Sequence, residues 1–489
     1  MAAGLALGLC GCAQIFGLDE LKPIPEGPPM VTTAITRVAI GATVVNEPLD
    51  LTGAMATYLI SDPLEVGGFR KVQASITPGQ PNQWQAAIDP DVEAQLLYSF
   101  PDDPIVHHSA LPQRSQRLLY SYLGTVTRED VPLDASFTFN IALDRAYAAA
   151  DALSWYSLGA WTARAFVPGE LPAVGAVRFQ PPLEFPFTSS TSLGGRPHQR
   201  LQATDAMLFL RYNAGKLSGY AAAPPFQMSG GPNPITGTLT AVAQTESLAA
   251  SFDTTTTTAR LANVRPANPT VQPVWFIVAA PAGSLGFTGG PTLASAGIAP
   301  NTGVVPVVAS YGNPFGDRGW TPTLIWRVLA SRVYQPAGMP AIALSSAFIT
   351  TQPVPTDNSP LGAPSCLPTS VVVQGATLLT DGLTVTLDRT KPVAVSFIAD
   401  NTDADAYVIS LLEIVVNGTV ASLQTRFESI SNKTTWSLPA DLFVAGKTYV
   451  VRAECSRGGI PGITLGDLVG REATRHSGYM DSGAFTVAQ

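Results

Sequence analysis

Three groups of side chains have the types and spacing to do chemistry. Asp400, Asp403 and Asp405, in the run Asp400-Asn401-Thr402-Asp403-Ala404-Asp405, cluster oxygen donors at a spacing tolerable for calcium, a hard cation that takes carboxylate oxygens. The run lacks the glycine and the terminal glutamate of an EF-hand loop, so a solvated acidic loop is the alternative. Asp102-Asp103-Pro104-Ile105-Val106-His107-His108 brings carboxylates and imidazoles together, the ligand types of a transition-metal or acid–base site if the chain folds back on itself. Arg457, Arg471, Arg475, His476 and Tyr479 are interleaved with glycines after Cys455 and form a candidate binding loop. HExxH, GxSxG, Walker A and CxxC patterns are all missing, so no motif points to a reaction class.

Composition bounds what must position these residues. Charged residues make up 13% of the 489 and the formal net charge is -8. Soluble domains usually carry about a quarter, and no basic stripe is present for phosphates, which argues against a nucleic-acid partner. Gly (43) and Pro (42) are abundant while 46% of residues are hydrophobic; such a chain reads as short strands joined by turns around real cores, an all-β protein of tandem β-sandwich domains. No cofactor is expected apart from calcium. Beyond Cys10 and Cys12 near the start, the body holds Cys366 and Cys455, a count that suits one disulfide in an oxidising compartment.

The apolar run Gly4–Leu9 is shorter than the roughly 20 residues a membrane span needs, but has the character of a signal-peptide core. Leu9-Cys10-Gly11-Cys12 resembles the lipobox of bacterial lipoproteins. The resemblance implies a signal remnant over 1–11, lipidation of Cys12, and outer-membrane sorting because Ala13 rather than Asp follows; a frayed apolar terminus is the alternative. Residues 12–30 then form a tether, with four prolines in Leu21–Met30 favouring an extended spacer.

Alternation and turn residues predict a first β-sandwich over 31–125 and a β-rich middle region over 126–355, either one large domain or two smaller ones. Phe137–Ile141 and Met207–Tyr212 read as strands within that region. Asp144–Leu153 (DRAYAAADAL) predicts a helix, with Asp144 as cap, and Asp253–Thr258 predicts an exposed strand or loop. The prolines of 356–368 predict a linker, followed by a domain over 369–489 in which Tyr449, Val451, Ala453 and Cys455 share one face of a strand and Val450, Arg452 and Glu454 the other.

Leu442-Phe443-Val444-Ala445-Gly446-Lys447-Thr448-Tyr449 resembles the corner and following strand of fibronectin type III and related immunoglobulin-like domains. The resemblance implies a seven-stranded sandwich in which the Tyr449 phenol bonds backbone at the corner. It departs from the family in lacking a tryptophan in the early strand and in placing Trp436 before the corner. The same topology implies that Cys366 and Cys455 are neighbours forming a disulfide. It also puts Arg457, Arg471, Arg475 and His476 opposite the acidic loop, where they pair with it or meet an external partner.

Three functions remain open on these grounds. The leading one is a non-enzymatic surface lipoprotein of tandem β-domains, a structural or interaction component of the bacterial envelope with an envelope protein as partner. A glycan-binding protein would show exposed coplanar aromatics, and a hydrolase would show a deep middle-region cleft with converging carboxylates. A chain anchored at Cys12 is expected to hold its C-terminal sandwich farthest out.

Overall fold

Residues in period-two alternation pair as strands through most of the chain. The computed structural model describes residues 30–40, 44–89, 92–101, 105–111, 115–123, 131–157, 159–160, 162–189, 191–192, 200–281, 290–361, 366–458 and 474–488. Cys12, Asp102, Asp103 and Arg471 fall outside them. Among the described residues there are strands, short 3-10 turns and one α-helix, Thr254–Leu261, so the protein is all-β.

Four sandwiches follow one another in the chain, and each has a small sheet of its own. In the first, residues 30–123, Met30–Ile40 and Gln80–Ala87 lie side by side and bring Val31 and Trp84 onto Tyr58 and Leu96 of the facing layer. In the second, 131–241, Ser136–Ala142 carries Phe137 and Phe139 onto Trp155 and Phe209. The third, 246–361, sets the sheet Val304–Tyr311, Glu246–Asp253, Thr356–Leu361 over Ile277 and Trp326. The fourth, 366–488, sets Pro368–Val373, Val393–Ala399 and Thr435–Leu438 over Ala406–Asn417, Val420–Ser431, Thr448–Gly458 and Arg475–Asp481.

The facing layers of all four sandwiches are a single 20-stranded sheet. Lys216 pairs with Ala294 to join the second sandwich to the third. Ser346–Thr351 pairs antiparallel with Arg475–Met480 to join the third to the fourth. Phe427–Ile430 pairs parallel with Val106–Ser109 to join the fourth to the first. Order along the sheet is therefore second, third, fourth, first. The C-terminal sandwich, expected farthest from the N terminus, is the immediate neighbour of the first, because the edge strand Val420–Ser431 accepts Val106–Ser109. The second sandwich lies at the other end.

Two local expectations fail for tertiary reasons. Residues 144–150 are not helical, and Asp151–Ser157 is a strand. The fully buried Arg211 guanidinium donates to Asp144 Oδ1 (2.8 Å), Asp151 Oδ2 (2.5 Å) and the carbonyls of Arg145 (3.0 Å) and Ala146 (2.9 Å). Those two carbonyls would be acceptors within a helix; the arginine takes them instead. Burial alone would raise the Asp151 carboxyl, but hydrogen bonds from Arg211, the Ala148 N–H, Arg145 and Asn213 hold it well below the usual range. The helix forms instead at the threonine run, where Asp253 caps Thr256 N at 2.9 Å and Thr254, Thr257, Thr258 and Leu261 are buried. Burial there outweighs the weak helix propensity of threonine.

The expected linker also has a structural role. Thr356–Leu361 is an edge strand running parallel to Glu246–Asp253, and Pro368 opens the first strand of the fourth sandwich. Pro360, on an edge strand, and Pro368, at a strand start, sit where a missing N–H does no harm to a central ladder.

Candidate functional site

The acidic loop and the cationic residues expected opposite it meet at the seam between the third and fourth sandwiches. Cys366 and Cys455 form a disulfide, with their Cα atoms 6.2 Å apart, that ties the entry of the fourth sandwich to its strand Thr448–Gly458. Gly478 pairs with Cys455 in the next strand, and a Cβ there would lie 2.3 Å from the Cys366 carbonyl oxygen, so the backbone packs against the bridge only because the residue is glycine.

The three carboxylates are engaged separately. Asp400 accepts from Leu367 N at 2.8 Å and pairs with Arg260 of the helix, Nε to Oδ2 at 2.6 Å and Nη2 to Oδ1 at 2.9 Å. Arg260 also lies 4.7 Å over the Phe348 ring. Asp403 pairs with Arg457, and Asp405 accepts from Gly458 N at 2.7 Å. Among the described residues no group of three or more His, Cys, Asp or Glu is placed to hold a metal ion. Each of the three carboxylates thus accepts from a donor of the protein itself.

Arg475, His476 and Tyr479 stand on the strand Arg475–Asp481, paired on both sides, rather than on a loop. Arg475 donates to Glu454 at 2.6 Å and to Ser456 Oγ at 3.1 Å. His476 Nδ1 lies 3.1 Å from Thr350 Oγ1; burial and the Arg457 cation push its imidazole below the ordinary value, with Asp403 opposing. The Arg452 guanidinium covers the Tyr479 ring at 4.7 Å while pairing with the fully buried Asp481 at 2.7 Å. The alternative in which these cations meet the acidic loop is realised for Arg457. Arg475 stays within the fourth sandwich, while His476, through Thr350, and Tyr479, whose Oη lies 3.4 Å from Ser345 Oγ, reach across to the third.

His107 and His108 alternate along Val106–Ser109 and therefore point to opposite faces. His107 stacks on Tyr98 at 5.2 Å. His108 is buried between Ser429 Oγ (2.8 Å from Nδ1) and Gln95 Oε1 (3.1 Å from Nε2), and burial pushes its imidazole down to about 3. Ser429 is fully buried, so this serine–histidine contact is closed to a substrate. It is the polar link of the parallel strand pair between the fourth and first sandwiches.

A crevice opens beside that link. Its volume is about 400 Å³, and it lies between Leu59, Ser61, Ala94 and Gln95 of the first sandwich and the strands Val393–Ala399 and Thr435–Leu438 of the fourth. Glu93 and Lys433 stand on opposite walls, both exposed and neither in an ion pair with another described residue. Trp436 lines the crevice, is 3% exposed, stacks on Phe397 at 5.7 Å, and leaves its buried Nε1 without a partner among the described residues. No local pattern marks Lys433–Ser437, because the crevice exists only where two sandwiches separated by more than 200 residues meet; the one local signal is Trp436, which stands before the corner.

Among the described tryptophans, Trp84, Trp155, Trp275, Trp320, Trp326 and Trp436 are all buried, whereas Tyr98, Tyr212, Tyr220, Tyr334 and Tyr479 are half-buried. No helix among these residues is long and apolar enough to cross a membrane. The chain matches no protein-family model and no curated protein.

Proposed function

We propose that the protein is a non-enzymatic interaction or structural component of a bacterial envelope, held at the outer membrane through a lipid on Cys12. The observation that supports the reading most is the 20-stranded sheet, which joins four sandwiches through their edges into one continuous body. Rigid presentation of surfaces is what such a body does well. We read the fourth sandwich as fibronectin type III-like. Support comes from Val444 N donating to Tyr449 Oη at 3.0 Å at the corner. Radioactive palmitate fed to cells expressing the full chain is expected to label it and to lose the label in Cys12→Ala. Equal labelling of the two proteins overturns the anchor.

A further inference from the structure

We propose that the open edge of Thr435–Leu438 is a docking strand for an extended peptide segment of a partner protein, which enters the crevice and adds to the sheet. Among the described residues Thr435–Leu438 is the last strand of its sheet and pairs only with Val393–Ala399. Phe397 N donates to Thr434 O at 3.1 Å, and the register sets Val395 against Trp436 and Val393 against Leu438. Bonded positions recur at every second residue of an antiparallel ladder. Trp436 and Leu438 thus turn their N–H and C=O groups inward, whereas Thr435 and Ser437 turn theirs toward the crevice, where no described residue bonds them.

Natural sheets usually protect an edge with proline, charge or a covering element. Thr435–Leu438 contains neither proline nor charge, and what lies beside it is the crevice of about 400 Å³. Its length admits roughly 13 Å of extended chain, about four residues. Small and hydroxylated residues on the walls, Ser61, Ala94 and Ser396 among them, leave room for small side chains on the incoming strand. The unpaired Lys433 and Glu93 favour an acidic residue beside the fourth sandwich and a basic one beside the first. The same molecule already uses strand addition twice to join its own sandwiches.

This inference gives the interaction reading above a partner chemistry; its test reads peptide binding and the palmitate test reads the anchor, so either can fail alone. Hexapeptides selected from a displayed library against the full chain are measured on wild type and on Ser437→Pro. Proline deletes an outward N–H while the inward ladder keeps its bonds. Selected peptides are expected to lose at least tenfold in affinity on Ser437→Pro and to keep it on Ser437→Ala. On the wild-type protein, N-methylation at alternate peptide positions is expected to abolish binding in one parity and spare it in the other, a measurement that needs no variant to fold. Selection of no binder, binders indifferent to Ser437→Pro in a variant of unchanged circular dichroism, or binding insensitive to methylation parity would each overturn the proposal.

Discussion

The seam between the third and fourth sandwiches and the seam between the fourth and first use the same device, an edge-to-edge strand pair, and are built to different strengths. At the first seam, Ser346–Thr351 and Arg475–Met480 pair antiparallel and one apolar core runs through both sandwiches, from Phe252 and Trp326 to Val395 and Tyr449. On the other face of the sheet, Ile342, Leu344, Leu412, Ile414 and Val450 form a second small core across it. Arg332 reaches from the third sandwich to Asp381 (3.1 Å) and to the Ser482 carbonyl (2.7 Å) of the fourth. At the second seam, Phe427–Ile430 and Val106–Ser109 pair parallel over a shorter length, the core of the first sandwich takes in only Ala406 and Ile430 from the fourth, and a crevice remains. An extensive shared core makes two sandwiches one body; a short shared edge with a few core residues across it leaves a joint with room in it.

The difference is open to attack from both sides. Removing the cross-link with Cys366→Ala and Cys455→Ala, which are 89 residues apart, is expected to cost about 4 to 5 kcal/mol on the chain-entropy model. Urea unfolding read by tryptophan fluorescence measures it, and a loss below about 1 kcal/mol would mean that the core holds the entry of the fourth sandwich in place without the bridge. Arg332→Ala leaves Asp381 and two carbonyls without their buried cation and is expected to cost about 3 kcal/mol. Its loss should appear as faster amide exchange in both the third and fourth sandwiches, and exchange rising in one of them alone would show that they unfold separately.

The weaker seam should respond to pH. His108 is held at about 3 in the folded protein against an ordinary value of 6.5, so the unfolded chain takes up the proton first as pH falls. Stability is complete above about 6.5 and is lost as pH drops toward 3, by roughly 2 to 3 kcal/mol at pH ~4.5. His108→Gln should flatten that part of the profile, and an unchanged acid slope in the variant would place the titration elsewhere. The smallest effect belongs to the exposed pair Lys71–Asp441 (3.4 Å), which also spans this seam. Lys71→Ala is expected to change the midpoint by less than about 0.5 kcal/mol, and a larger loss would show this contact to be more than a surface ion pair.

Much of the architecture was legible locally. Phe137–Ile141 alternates and is a strand with Phe137, Phe139 and Ile141 inward. The two faces of Thr448–Gly458 were readable as well, although Val450 on the second face is buried too, because the strand has a core on each side. Illegible were features set by a partner far away in the chain. Nothing within 144–153 announces Arg211, and nothing within Val106–Ser109 announces Ser429, yet each distant residue decides what the local segment does. Among the chemically suggestive residues, Asp400, Asp403, Arg457 and Arg475 were found by type, but their use as clamps depends on Arg260 and Glu454, which carry no motif.

By itself, then, the chain determined its class: alternation, turn residues and low charge are properties of neighbours in sequence, and they suffice to make sandwiches and to leave two cysteines in the body. Only the tertiary structure decided which edges meet, because edge pairing depends on register and side-chain fit between strands hundreds of residues apart, on which period-two alternation is silent. That choice brought the first sandwich beside the fourth, set His476 and Tyr479 against the third, and left Thr435–Leu438 facing open space.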